Sequence, residues 1–448
     1  MHLIKKYSSI AFLFLFFFIC LVFIFTLSRG DTFVNYGFSY AISKGEIPYK
    51  DFNMVITPFA PFLYSFGLFF CKNILVYYLE QALLLTVLFS FLKKMLNNKI
   101  ILFLLFLILP YPVAIVSVIF PGYNFLLCFL FFLFVFSFKE NKNPYFLGFL
   151  LGLIFCTKQT IGLVLFLPTF YYLLKDSKKF FSMVVGFSVP IFILFLYLFL
   201  SGSFSSFINL CFLGLFDFQS NNSQIDWFYF ILFLLGVLFF IISILKNPKN
   251  ILLYYGLLFG FVVFPIIDYY HVSLFLIVVF YFFLDKISID KRLISLSYVF
   301  IVLICIIWSF VSYQFFGDPV LSNFSNFSFL INKRSYVDST QSLLDYVDSL
   351  DGRVIYFMRG SENYYFKIIQ NQKLDYFDLP NYGNYGYDGI KMMKVKIDSV
   401  HNAYFVLDEA LMVDHNINQQ YIKELGNYAI QCSDKIDDIG IYGIYYKE

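Results

Sequence analysis

Apolar runs of about twenty residues recur along this chain, which is the length a helix needs to cross the hydrocarbon core of a bilayer. Their number decides the class. Of 448 residues 60% are hydrophobic and only 14% charged, more apolar surface than a water-soluble domain of this size can hide. Phe occurs 66 times and Tyr 36 times, a bias in composition that says little about chemistry. The pattern predicts spans near 8–27, 73–92, 100–118, 123–138, 145–157, 160–174, 180–200, 226–245, 251–266, 270–284 and 294–315. The segment Met1 to Leu27 carries Lys5-Lys6 ahead of its apolar run, and Ser28-Arg29-Gly30 offers no small-x-small cleavage site, so it reads as an uncleaved first span. The expected fold class is an all-α polytopic membrane domain of about eleven transmembrane helices, residues 1–317, with a small C-terminal α/β extracytoplasmic domain, 318–448.

The distribution of basic residues orients these spans. Loops assigned to the cytoplasmic side hold fifteen Lys and Arg, among them Lys93, Lys94, Lys139, Lys175, Lys179 and Lys246, against five in the loops assigned outside. Positive residues are retained inside, so the N-terminus is expected in the cytoplasm and residues after about 317 outside. An odd number of spans agrees. A net charge of +3 with no basic face argues against nucleic-acid binding. Six of the seven cysteines lie in or beside apolar segments and Cys432 alone falls in the tail, so no disulfide can form within the tail.

Two places stand out because their helices are short. Lys158-Gln159 interrupts the apolar stretch 145–174, and lysine-rich loops on both sides of that stretch belong inside, so it must pass twice. Passes of about 14 residues reach roughly 21 Å, less than the roughly 30 Å of hydrocarbon. Lys158 is therefore expected below the outer surface. The stretch 251–284 repeats the pattern around Pro265-Ile266-Ile267-Asp268-Tyr269-Tyr270-His271. An ionisable group at that depth costs roughly 2.5 to 3.5 kcal/mol and normally lines a cavity or has a partner. The plainer reading is a snorkelling lysine, a capping Asp268 and a routine hydrogen bond for His271.

In the external loop 28–72, Phe33, Tyr36, Gly37, Tyr40 and Ala41 fall on one helical face and Asn35, Ser39 and Ser43 on the other, which predicts an amphipathic helix on the membrane surface. Asp31 directly precedes it, either as an N-cap or as a carboxylate at the mouth of an outward cavity, where it can act as a general base. Segment 203–218 reads as a second, weaker interfacial helix.

These features together resemble the GT-C superfamily of membrane glycosyltransferases, in particular bacterial relatives of the dolichyl-phosphate-mannose protein mannosyltransferases and the lipid A aminoarabinose transferase. The likeness rests on the acid after the first span, Gly45-Glu46-Ile47-Pro48-Tyr49-Lys50-Asp51-Phe52, and Thr57-Pro58-Phe59-Ala60-Pro61. It extends to the turn Pro265 to His271 and to Gly152 through Gly162 with Thr157-Lys158-Gln159. Thr32 stands where the protein mannosyltransferases have a second acid, and Asn124 lies in a loop where relatives often carry one. The resemblance implies transfer of a sugar from a polyprenyl-phosphate donor to the hydroxyl of a glycan, lipid or protein acceptor, on the outer face of a bacterial cytoplasmic membrane. Asp31 is then the base, with inversion at the sugar and Asp51 in reserve as base or metal ligand. Lys158 and His271 would stabilise the phosphate, with Asp268 orienting His271. Tyr123 and Asn124 are candidates for contacting acceptor or sugar. No cofactor is expected, and no carboxylate and histidine cluster calls for a divalent metal. A lipid-linked-sugar flippase, a polysaccharide transporter and a polysaccharide polymerase or ligase are the alternatives, although no internal repeat marks a transporter.

Beyond residue 317 shorter periods predict helices over 336–350, 362–370 and 418–428 and strands over 353–358, 403–407 and 439–446. The loop Asp378 to Gly389 carries Tyr382 and Tyr385, which can stack on sugar rings; the plainer reading is a set of turns that use Gly and Asn for positive φ.

Overall fold

The computed structural model describes residues 31–54, 56–108, 122–215, 225–264, 266–288, 320–321, 330–331, 337–358, 362–378, 386–387, 389–413 and 420–448. The expected spans 8–27 and 294–315, and the domain boundary near 317, lie outside the described residues. The N-terminal part is helical: α1 (Asp31–Ser43), α2 (Phe59–Phe70), α3 (Ile74–Leu96), α4 (Ile100–Ile108), α5 (Tyr123–Lys139), α6 (Pro144–Thr157), α7 (Gln159–Phe166), α8 (Phe170–Lys175), α9 (Ser177–Leu200), α10 (Phe204–Ile208), α11 (Trp227–Lys246), α12 (Ile251–Phe259) and α13 (Tyr269–Lys286). Among the described residues four helical segments are long and apolar enough to cross a membrane: Ile74–Leu107, Ser177–Leu200, Trp227–Lys246 and Tyr269–Lys286. The first is two antiparallel legs. Asn97 takes φ +51 and reverses the chain, so that Leu107 lines the same apolar groove as Leu85. A straight helix would place them about 33 Å apart.

Asn and Asp set the starts of these helices. Asn73, Asn143, Asp176, Asp226, Asn250 and Asp268 each accept a hydrogen bond from a first-turn amide, those of Leu75, Tyr145, Lys179, Phe228, Leu252 and His271. Such caps satisfy amides that otherwise have no helical partner. Helices α6 and α9 pack closely because glycine lies at their contact. A Cβ on Gly148 would stand 2.0 Å from the carbonyl oxygen of Met183, and one on Gly186 2.0 Å from that of Tyr145. Small residues replace the hydrophobic effect as the means of bringing helices together in lipid.

The lysine-rich loops meet at one end of this helical unit. Lys94 pairs with Glu140 at 3.1 Å, and Lys139 contacts both Asp285 oxygens at 2.8 Å. Lys99 donates to the Leu284 carbonyl at 2.8 Å, and Lys179 lies over the rings of Tyr172 and Phe138.

Three expectations for the external loop need correction. Helix α1 is not amphipathic at a lipid surface: Asn35, Ser39 and Ser43 are as buried as Tyr36, Phe38 and Ala41. Its hydroxyls are satisfied internally, Ser39 by the Asn35 carbonyl and Ser43 by that of Tyr40, so a polar stripe could be covered. Helix α2 was not expected at all. Pro58 and Pro61 suggested a loop, yet proline is tolerated in a first turn, where its missing N–H is no loss. Segment 203–218, expected as a weaker interfacial helix and described as far as residue 215, has Phe207, Leu210 and Cys211 fully buried.

The C-terminal domain is a small α/β layer. It contains α14 (Val337–Asp348), α15 (Glu362–Ile369), α16 (Gly389–Asp398), α17 (Glu409–Val413) and α18 (Gln420–Gln431). A short pair, β1 (Val320–Leu321) and β2 (Leu330–Ile331), precedes a four-stranded sheet of β3 (Arg353–Phe357), β4 (Ala403–Asp408), β5 (Asp434–Ile439) and β6 (Tyr442–Lys447), in the order β3-β4-β6-β5. Strands β3 and β4 are parallel and the other pairings antiparallel. Strict alternation splits β4 between two cores, with Ala403, Phe405 and Leu407 facing the core of α16 and α18, and Tyr404 and Val406 facing that of α14. Helix α16 and strand β5 were not anticipated, and the last strand starts three residues later than expected because Gly440 and Ile441 form its turn.

The domain is seated on α1. Phe38 meets the Tyr364 ring edge-on with centroids 5.6 Å apart, and Tyr40 donates to Asn371 at 2.9 Å. Lys44 donates to the Asn371 carbonyl at 2.6 Å, and the Leu374 amide donates to Glu46 at 3.1 Å.

Candidate functional site

The helical stretch of residues 144–175 breaks at Lys158, whose φ of −149° and ψ of 102° are extended. No side chain caps α7. Its first bonds are those of Ile161 and Gly162 to the Lys158 carbonyl, both 3.1 Å, so the Gln159 and Thr160 amides stand at an open helix N-terminus. Such an end carries about half a positive charge and attracts anions. Lys158 is itself the residue that precedes this N-terminus. Among the described residues its ammonium makes no hydrogen bond or ion pair, and Asp268 is the carboxylate whose charge reaches it.

The second short-helix turn supplies that carboxylate. Asp268 caps α13, and its Oδ1 accepts from the His271 amide at 2.9 Å and lies 2.7 Å from His271 Nδ1. Capping and orientation of the imidazole are therefore one arrangement, which leaves Nε2 as the nitrogen free to face a ligand. The turn is fixed from outside by the Asp226 amide, which donates to the Ile267 carbonyl at 2.9 Å, and by Tyr229 against Tyr269. Asp268 is thus bonded to His271 and within electrostatic reach of Lys158; Asp31, expected to join Lys158 and His271 in one cavity, has its side chain outside the described residues.

The first external loop packs beside this group. Thr57 donates to the Phe155 carbonyl at 3.2 Å, just before the break, and Gln159 Nε2 donates to the Cys211 carbonyl at 2.7 Å. Tyr49, held at φ +66, donates to the Ile56 carbonyl at 2.5 Å and stands 3.7 Å from Cys211 Sγ.

Other expected residues are placed differently. Asp31 is the first residue of α1 rather than its predecessor, and its side chain lies outside the described residues. Asp51 is exposed and accepts from the Ile47 amide at 2.7 Å, closing a turn. No described contact joins it to Lys158. Tyr123 and Asn124 open α5 beside Gly122, whose amide donates to Gln81 at 3.1 Å. They sit against α1 and α3, away from Lys158 in sequence and contact. Tyr382 and Tyr385 lie outside the described residues. Among the described residues no three His, Cys, Asp or Glu side chains gather to hold a metal ion.

Sequence reading missed two buried carboxylates at the edges of the docked domain. Burial pushes Glu46 up to about 7, against the Leu374 amide, Lys44 and Lys373, with Asp51 adding to the rise. Asp378, at the root of the tyrosine loop, is also pushed up to about 7 by burial, against the pull of Lys367 at 3.9 Å. Lys367 itself donates to the Val354 carbonyl at 2.6 Å. A single acid, in the loop after α1 or in the polar tail, gives no sign of burial, so neither was legible.

Comparison of the chain with protein-family models, with curated proteins and with solved structures finds no match.

Proposed function

We propose that the chain is an integral membrane glycosyltransferase with a GT-C-like fold of about eleven spans, transferring a sugar from a polyprenyl-phosphate donor to an acceptor hydroxyl on the outer face. The observation that carries this reading is Lys158, a cation with no described ion pair in the break before the open N-terminus of α7, within electrostatic reach of the Asp268 that orients His271. A phosphate leaving group requires no general acid, only charge and donors where its negative charge grows. Lys158, the α7 amides and His271 supply these, the last as a donor through Nε2. The acceptor hydroxyl still needs a base, and Asp31 is assigned that role with Asp51 in reserve. The groove between α3, α4, α5 and α13, lined only by apolar side chains such as Leu88, Phe103 and Ile277, suits a prenyl chain. The gathering of lysine loops at the opposite end supports a cytoplasmic placement for that end and an outward placement for the Lys158 end.

The test is sugar transfer from a panel of polyprenyl-phosphate sugars by purified protein in lipid nanodiscs, comparing wild type with Lys158→Gln and Asp31→Asn. Transfer by wild type and its loss in a folded Lys158→Gln protein supports the reading, and equal rates in the two overturn it. Retained activity in Asp31→Asn moves the base to Asp51.

A further inference from the structure

Gln159 follows Lys158 directly in the helix break and is 4% exposed. The carbonyl it holds, that of Cys211, belongs to a π-helical stretch, Asn209–Leu213, which continues α10. The wide turn closes with the Gly214 amide donating to the Asn209 carbonyl at 2.8 Å. Single π turns are rare and recur at functional sites. At the other end of this turn Asn209 Oδ1 accepts from the Tyr387 amide at 2.8 Å. Gly386, at φ +79, approaches so closely that a Cβ would stand 2.8 Å from Asn209 Nδ2. One five-residue turn therefore holds the neighbour of Lys158 at its middle residue, Cys211, and the Gly386–Tyr387 segment of the C-terminal domain at its first, Asn209. Leu210 and Cys211 are fully buried, and in α10 just before the turn Phe207 meets the Tyr49 ring edge-on at 5.3 Å.

We propose that the Asn209–Leu213 turn couples the seating of the C-terminal domain to the placement of Lys158, with Asn209 and Gln159 as positioning residues for the anion site. This rests on the reading of Lys158 as the phosphate-binding group. Undocking the Gly386–Tyr387 segment frees Asn209, the π turn relaxes toward ordinary helix, the Cys211 carbonyl moves, and Gln159 carries Lys158 with it.

The experiment follows Lys158 in full-length protein in nanodiscs. Its rate of acetylation by a water-soluble amine reagent is read by mass spectrometry across pH, with and without farnesyl phosphate as the probe. In ligand-free protein, Asn209→Leu and Gln159→Met are expected to change the Lys158 rate by about fivefold or more, within the range of ordinary coupling between sites. Asn209→Asp, which keeps the accepting oxygen, restores it. Gly386→Ala, which forces the two segments apart, reproduces the change from the far end. The coupling is overturned if the ligand-free profile of Lys158 is the same in Asn209→Leu and Gly386→Ala as in wild type, with unfolding temperatures showing all proteins folded. Failure of farnesyl phosphate to protect Lys158 in wild type overturns instead the phosphate reading on which the coupling rests.

Discussion

The two ends of the helical unit treat their cations in opposite ways. At the lysine-rich end Lys94, Lys99 and Lys139 have found partners in Glu140, the Leu284 carbonyl and Asp285, on partly exposed side chains where such contacts are weak. At the other end Lys158 has Asp268 within electrostatic reach and no described partner. Charges that orient a chain can satisfy one another at the water interface. An ionisable group held at membrane depth costs roughly 2.5 to 3.5 kcal/mol, which is why the proposed role of Lys158 as an anion site needs a ligand to offset it. The C-terminal domain supplies the third case, Lys367, which is buried but sits against Asp378 and the Val354 carbonyl.

Removing each of these cations in turn separates the three cases. Lys367→Met leaves Asp378 buried without its partner and is expected to destabilise the domain by about 3–5 kcal/mol, measured by denaturant unfolding of the full chain. A loss nearer to that of a surface pair would show that Lys367 and Asp378 do not anchor the loop. Lys158→Gln should lower sugar transfer by about 10²–10³-fold, the usual effect of deleting one donor to a developing anion, with little change in unfolding temperature. Asp268→Ala should cost about 1 kcal/mol through the lost α13 cap and free the His271 ring, seen as changed ring chemical shifts by NMR. Lys139→Gln should cost less than about 1 kcal/mol. If it weakens transfer as much as Lys158→Gln does, the contrast between the ends fails.

Protons probe the seam between the two domains. Glu46 titrates near 7 when docked and in the ordinary carboxylate range when exposed, so the docked form binds the proton more tightly. Docking is therefore firmest in the acid range, weakens as pH rises through the interval up to about 7, and is flat above it. Hydrogen exchange at the Leu374 amide measures this, and Glu46→Gln should remove the pH dependence.

The helices were legible where apolar length and punctuation agreed. Pro144 after Asn143 and Asp176 before the 177–200 run mark starts that the structure places within a few residues. The break at Lys158 was legible because one lysine in an apolar stretch cannot be ignored at that depth. Helix α2 was not, since two prolines three positions apart, Pro58 before the helix and Pro61 within it, look like a loop until the first turn is seen to need no amide. The burial of α1 was hidden for a different reason: part of its cover comes from residues more than three hundred positions away, Tyr364 against Phe38 and Asn371 against Tyr40. Separation in sequence also concealed Asn209, a single polar residue that accepts from the backbone of Tyr387, 178 positions on. Strand β5, Asp-Lys-Ile-Asp-Asp-Ile, has too many charges to read as sheet, and it is an exposed edge, where charge is an asset.

The sheet order β3-β4-β6-β5 bears on how the protein is made. Of the four strands, β6 leaves the ribosome last, yet it lies inside the sheet, between β4 and β5. Until residues 442–447 have been synthesised, β4 has an open edge and β5 has nothing to pair with. Folding of the domain, and with it the covering of α1, must then wait for these residues. A nascent chain stalled before Tyr442 would present a bare β4 edge, the kind of unpaired strand that invites association with another chain.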